Sequence, residues 1–201
     1  MTFIQKLNNS LGRVPPWTLY LVSVFPPAWF LYLGLTGGLG VEPIKELEHL
    51  LGELALQLFI VTLAVRPLRD WTGINLLKHR RALGLITFFY VALHLLVWLV
   101  LDVGILSQIW ADILKRPYIT IGMGAFVLML PLAVTSHNWS VRRMGAAWRK
   151  LHKLVYPIAI LGAVHYIMVK KVWELEPMIY LCVILGLVAL RLPDLRRKQV
   201  A

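Results

Sequence analysis

Three histidines interrupt long apolar runs in this chain of 201 residues: His94, His152 and His165. A polar side chain is costly in lipid and usually has a function there. Imidazole nitrogen ligates iron, and two imidazoles from different helices of a bundle give a six-coordinate haem suited to electron transfer. Spacing decides which of the three can pair. His94 follows Arg81 by 13 residues and His165 follows His152 by 13 residues, in each case a rise of roughly 20 Å along a helix. If both helices run in the same direction, His94 and His165 share one depth near their far ends, and His152 lies near the entry side. The plain alternative is a pair of buried histidines hydrogen-bonded to neighbouring helices.

The level of His152 lacks an evident second imidazole. The residue 14 positions before His94 is Arg80, turned only about 40° from it on an ideal helix. A guanidinium cannot ligate iron, yet it clamps a haem propionate or a flavin phosphate bidentately, and Arg81 stands beside it. This inner level is expected to hold either a differently ligated haem or a flavin. His79 is the substitute ligand, against the default of a solvated loop histidine. His152 and His165 lie about 140° apart around an ideal helix. His152 therefore serves as a ligand only if Pro157 kinks the helix; otherwise it supports a ligand or touches a different cofactor.

His49, Glu53 and Gln57 recur at intervals of four, a polar stripe that can orient a haem ligand, bind a quinone or pass protons. An ordinary polar helix end is the competing expectation. His137 is assigned no function. Trp110, Tyr118, Trp148, Tyr166, Trp173 and Tyr180 lie near span ends, where amphipathic rings anchor at the headgroup level. Gly84, Gly122, Gly124 and Gly162 permit close helix approach or a flat macrocycle.

The elements that position these residues follow from composition. Hydrophobic residues make up 59% of the chain and mean hydropathy is +0.71, more than a water-soluble core requires. About 20 apolar residues cross a bilayer as a helix, and six segments qualify: 17–35, 50–65, 82–101, 118–135, 151–169 and 177–192. With backbone groups satisfied internally, the expected fold is all-α, a single-domain bundle of six transmembrane helices over residues 1–201. The first segment is longer than a signal-peptide core and carries Pro26 and Pro27 without a cleavage site, so it is expected to be retained and kinked. Cys182, the single cysteine, lies within an apolar run, so no disulfide framework is expected and its expected role is packing.

The net charge of +11 would suggest nucleic acid in a soluble protein, but here the cations cluster between apolar runs, so no nucleic-acid partner is expected. With the N-terminus inside, 16 of the 21 Lys and Arg residues fall on the cytoplasmic side, leaving Lys45, Lys115, Arg116, Lys170 and Lys171 outside. Both termini are thus expected in the cytoplasm. With only a short tail after Arg191, no nicotinamide- or flavin-binding extension is expected.

Four segments carry a family resemblance: GGLGVEPIKELEHLLG (37–52), RRALGLITFFYVALH (80–94), KRPYITIG (115–122) and WRKLHKLVYPIAILGAVHY (148–166). Through them the chain resembles the MsrQ family, haem-binding membrane subunits of the bacterial periplasmic protein-methionine-sulfoxide reductase system, within the ferric-reductase-like transmembrane group. The resemblance implies an inner-membrane protein with one or two b-type haems. It implies that His94 and His165 ligate the outer haem, that His152 contributes near the inner site, and that FMN also binds. In that group paired histidines on two helices stack two haems, and Arg80 departs from this pattern. The implied acceptor is a periplasmic MsrP-like molybdenum reductase, and the donor a cytosolic flavin reductase or the quinone pool. The chain itself then transfers electrons and turns over no substrate. Two other functions compete: an independent ferric or quinone reductase of the same fold, and a proton-coupled transporter whose histidines relay protons. Inverted repeats, frequent in transporters, are not found.

Overall fold

The computed structural model describes residues 2–170 and 174–191. Trp173, Lys171, Arg196, Arg197 and Lys198, assigned above to anchoring or to one side of the membrane, lie outside the described residues. Among the described residues every regular element is a helix and no strand occurs.

Five segments are long and apolar enough to cross a bilayer: Trp17–Leu35, Pro43–Thr72, Leu77–Val103, Pro117–Val134 and Ala146–Val169. The first is α2, which runs unbroken through Pro26 and Pro27. The second is α3, Pro43–Thr72, begun by a proline in its first turn and ended by Gly73 in the left-handed region; it outruns the expected 50–65 because polar turns extend the apolar stretch at both ends. The third comprises α4, Arg80–Val97, and a π-helical continuation, Trp98–Val103, closed by Gly104 at φ +67°. The fourth is α6, Pro117–Val134. The fifth is α8, Ala146–Leu151, joined through a 3-10 turn, His152–Leu154, to α9, Val155–Val169. The sixth expected segment forms α10, Leu175–Ala189, an apolar helix of 15 residues, shorter than the about 20 that cross the hydrocarbon core upright.

The connections hold helices that a search for apolar runs passes over. Helix α1, Phe3–Arg13, starts in a capping box between Thr2 and Gln5. It docks on the α3–α4 connection: Asn8 donates to the Gly73 carbonyl and accepts from the Asn75 amide, both at 2.9 Å, and Lys78 Nζ donates to the Gly12 carbonyl at 2.6 Å. Helix α5, Leu106–Lys115, turns Leu106, Trp110 and Leu114 outward at intervals of four. Helix α7, Asn138–Met144, is capped by His137, whose Nδ1 accepts from the Ser140 amide, so His137 has a structural task.

Two apolar clusters meet along α3. One joins Leu47, Leu51 and Ala55 of α3 to Ile86, Tyr90 and Val97 of α4; the other joins Leu56, Phe59 and Leu63 of α3 to α6, α9 and α10. Ala159 and Ala163, four apart on α9, are 1% and 0% exposed, small residues that let backbones approach where lipid offers no hydrophobic driving force. Tyr90 is buried with its hydroxyl donating to the Ser23 carbonyl of α2 at 2.6 Å. Cys182 is exposed on α10.

Candidate functional site

Helices α4 and α9 run in the same direction, because their beginnings line one cavity and their far halves bring two histidines together. His94 and His165 have ring centres 6.2 Å apart and planes inclined at 78°. Each ring is held from behind by the helix packed beside its own. His94 Nδ1 donates to the Glu48 carbonyl of α3 at 2.9 Å, and His165 Nδ1 donates to the Tyr118 carbonyl of α6 at 2.8 Å. A carbonyl only accepts, so Nδ1 carries the proton in both rings and Nε2 keeps a free lone pair. This is the tautomer of a metal-ligating histidine braced by a backbone acceptor. Two imidazoles bound through nitrogen at about 2 Å to opposite sides of one metal have centres about 6 Å apart. The pair therefore has a spacing at which both rings could hold one metal ion.

At the other end of α4 and α9, about 20 Å away along the helix, lies a cavity of about 1320 Å³. That exceeds the roughly 300–1,000 Å³ typical of small-molecule sites. Arg80, Arg81 and His152 all line it, with Lys78, Arg149 and Lys153 adding positive charge, and Phe59, Phe88 and Met129 forming an apolar portion. Cations around an apolar slot suit a flat ring system with anionic arms. His152 stacks on Trp148, which also lines the cavity, with ring centres 3.8 Å apart. Its Nδ1 lies 3.2 Å from the Trp148 carbonyl and its Nε2 3.5 Å from Ser136 Oγ. Trp148 donates its indole N–H to the Thr135 carbonyl at 2.9 Å.

Residues 51–163 match the family described as the ferric reductase like transmembrane component. Proteins of Brucella ovis, Brucella canis and Brucella suis, each named protein-methionine-sulfoxide reductase heme-binding subunit MsrQ, are 51% identical to the chain over 201 residues, covering 98% of it and 91% of each relative. The chain belongs to the MsrQ family. No solved structure matches it.

In this MsrQ-family chain the break between His152 and His165 is the 3-10 turn at His152–Leu154, while Pro157 falls in the first turn of α9, where its missing N–H costs nothing. His79 is not solvated: it is 4% exposed and its Nε2 donates to the Val14 carbonyl at 3.0 Å. The polar stripe on α3 divides. Gln57 donates to Glu53 at 2.8 Å and to the Tyr180 hydroxyl of α10 at 2.9 Å, whereas His49 is exposed. Arg81 reaches across to Asn138 Oδ1 at 2.6 Å. The backbone acceptors of Glu48 and Tyr118 carry no side-chain signature, and nothing in the sequence could have singled them out.

Proposed function

We propose that the chain is the membrane electron-transfer subunit of a protein-methionine-sulfoxide reductase system, with b-type haem held between His94 and His165. The carrying observation is the pair of rings 6.2 Å apart with both Nδ1 atoms committed to backbone carbonyls. Bound there, haem supplies a one-electron carrier. The protein contributes position and tuning: two neutral imidazoles oriented for ligation, and an apolar surrounding that excludes water.

The proposed topology has six spans in the bacterial inner membrane with both termini cytoplasmic. On that orientation the basic cavity opens towards the cytoplasm and the His94/His165 pair towards the periplasm. Arg80, Arg81 and His152 would hold a second group, FMN or a second haem, through cations on its phosphate or propionates. Electrons enter at this basic end from a cytosolic flavin reductase or the quinone pool. They leave at the far end to a periplasmic MsrP-like molybdenum reductase. The names of the Brucella relatives, which place them in a methionine-sulfoxide reductase as its haem-binding subunit, support the assignment.

The test is the optical spectrum of detergent-purified protein with pigment extraction. His94→Ala and His165→Ala should each lose the bis-imidazole signature, and its retention in both would refute the ligation. An independent ferric or quinone reductase draws on the ferric-reductase-like match of residues 51–163; it requires turnover with no reductase partner present.

A further inference from the structure

We propose that Gly52 and Gly122 are ligand-positioning residues, each withholding a side chain at the place where an axial histidine must lie against the neighbouring helix. The proposal rests on the reading that His94 and His165 hold haem.

The two histidines meet the same local device twice. The carbonyl that receives His94 belongs to Glu48, and Gly52 stands four residues on; the carbonyl that receives His165 belongs to Tyr118, and Gly122 stands four residues on. In an α-helix the N–H of residue i+4 closes on the carbonyl of residue i. Each of these carbonyls thus takes its own helix's N–H together with an imidazole arriving from outside. Side chains at i+4 lie over the same face as residue i, so position i+4 decides whether that approach is open.

The space at both positions is taken by the ring. A Cβ on Gly52 would come within 3.0 Å of His94 Nδ1 and 3.2 Å of Cε1; a Cβ on Gly122 would come within 2.9 Å of both His165 Nδ1 and Cε1. At Gly122 a separation this short forces something to move, and at Gly52 the ring must give by a few tenths of an ångström. The added carbon belongs to a helix backbone, so the imidazole is what yields, and because Nδ1 is among its nearest atoms the bond to the carbonyl is disturbed. Gly124, on the same helix as Gly122, has nothing within 4 Å of a built Cβ, and Gly162 meets only Leu56 Cδ1 at 3.7 Å. Close approach to a ring is therefore particular to two glycines, one behind each histidine.

The consequence concerns both nitrogens of each ring. The Nδ1–carbonyl bond selects the tautomer that leaves Nε2 for iron and raises the donor strength of the imidazole. A ring pushed off its carbonyl is a weaker donor in an altered orientation. Weaker donation favours the reduced metal, so the midpoint potential should move positive; a larger displacement removes the ligand and leaves the iron high-spin.

The experiment uses the full chain with its haem, as Gly52→Ala, Gly122→Ala and Gly124→Ala, read by low-spin fraction and midpoint potential. Gly52→Ala and Gly122→Ala should each lose most of the low-spin signal or shift the potential positive, and Gly124→Ala should match the parent. Parental spectra and potentials in the first two, or an equal change in Gly124→Ala, would overturn the proposal. Should Gly122→Ala fail to fold, the same substitution is made in the His165→Ala background, where the ring it displaces is gone. Recovery of folded protein there supports the steric coupling, and failure in both backgrounds refutes it. Failure of the haem reading is seen separately, as a bis-imidazole spectrum that survives both His94→Ala and His165→Ala without any glycine change.

Discussion

Trp148 lies flat against His152, ring centres 3.8 Å apart and planes 25° from parallel. The indole is itself fixed, because its N–H is tied to the Thr135 carbonyl at the end of α6. One face of the imidazole is therefore covered, and the turn of helix around it sets where its edge can point. If His152 contributes to holding a group in the basic cavity, Trp148 controls that contribution. Stacked aromatic pairs contribute about 0.5–1.5 kcal/mol beyond burial. Trp148→Ala is expected to weaken retention of the second cofactor several-fold and leave the His94/His165 spectrum unchanged. Pigment extraction, giving the ratio of the two groups, checks this.

Arg80 and Arg81 line the same cavity but are not equivalent. Arg81 is exposed and already bonded to Asn138, whereas Arg80 is partly buried at the start of α4. A hydrogen bond to a charged group contributes about 1.5–3 kcal/mol, so Arg80→Ala should weaken FMN about 10- to 100-fold, and Arg81→Ala less. Fluorescence titration with FMN at low and moderate salt measures both losses. An equal effect from the two variants would contradict the difference in burial.

His79 fastens α1 to the membrane-embedded bundle. The ring is 4% exposed, and its Nε2–H is donated to the carbonyl of Val14, itself 40% exposed. A typical hydrogen bond contributes about 0.5–1.5 kcal/mol. His79→Ala is expected to loosen α1 locally, seen as faster amide exchange over residues 3–14 with exchange in α3 and α4 unaffected.

Helix α5 carries an exposed apolar stripe suited to a membrane surface. Leu106, Trp110 and Leu114 are 80%, 64% and 72% exposed, while Ile109 and Ile113 turn inward. An amphipathic helix with a tryptophan on its apolar side seats that side at the headgroup–acyl boundary. In vesicles, the emission lost on replacing Trp110 by Phe should be quenched by brominated lipid and protected from aqueous iodide. Quenching by iodide alone would place the stripe in water or against a partner.

Ala163 is fully buried on α9, where the helix packs into the cluster with α3, α6 and α10. Overpacking costs about 1–3 kcal/mol, and here it also wedges apart helices whose association depends on close contact. Ala163→Leu should lower the thermal stability of the detergent-solubilised protein, whereas Gly124→Ala, which meets nothing within 4 Å, should leave it unchanged or raise it slightly.

What a sequence determines about such a protein is position along each helix. Rise per residue is nearly constant, so two offsets of 13 residues were enough to place His94 and His165 at one depth, with Arg80, Arg81 and His152 together at the other end. Apolar runs likewise marked the long helices and α10, although the polar extensions of α3 and the connecting helices α1, α5 and α7 escaped them. Rotation about the helix axis and contact between helices belong to tertiary structure. A 3-10 turn at His152–Leu154, rather than a kink at Pro157, relates His152 to His165. Packing across 65 residues buries His79 against Val14. The acceptors of His94 and His165 are carbonyls 46 and 47 residues away, and every residue has a carbonyl, so only the packing of α3 on α4 and α6 on α9 could select Glu48 and Tyr118.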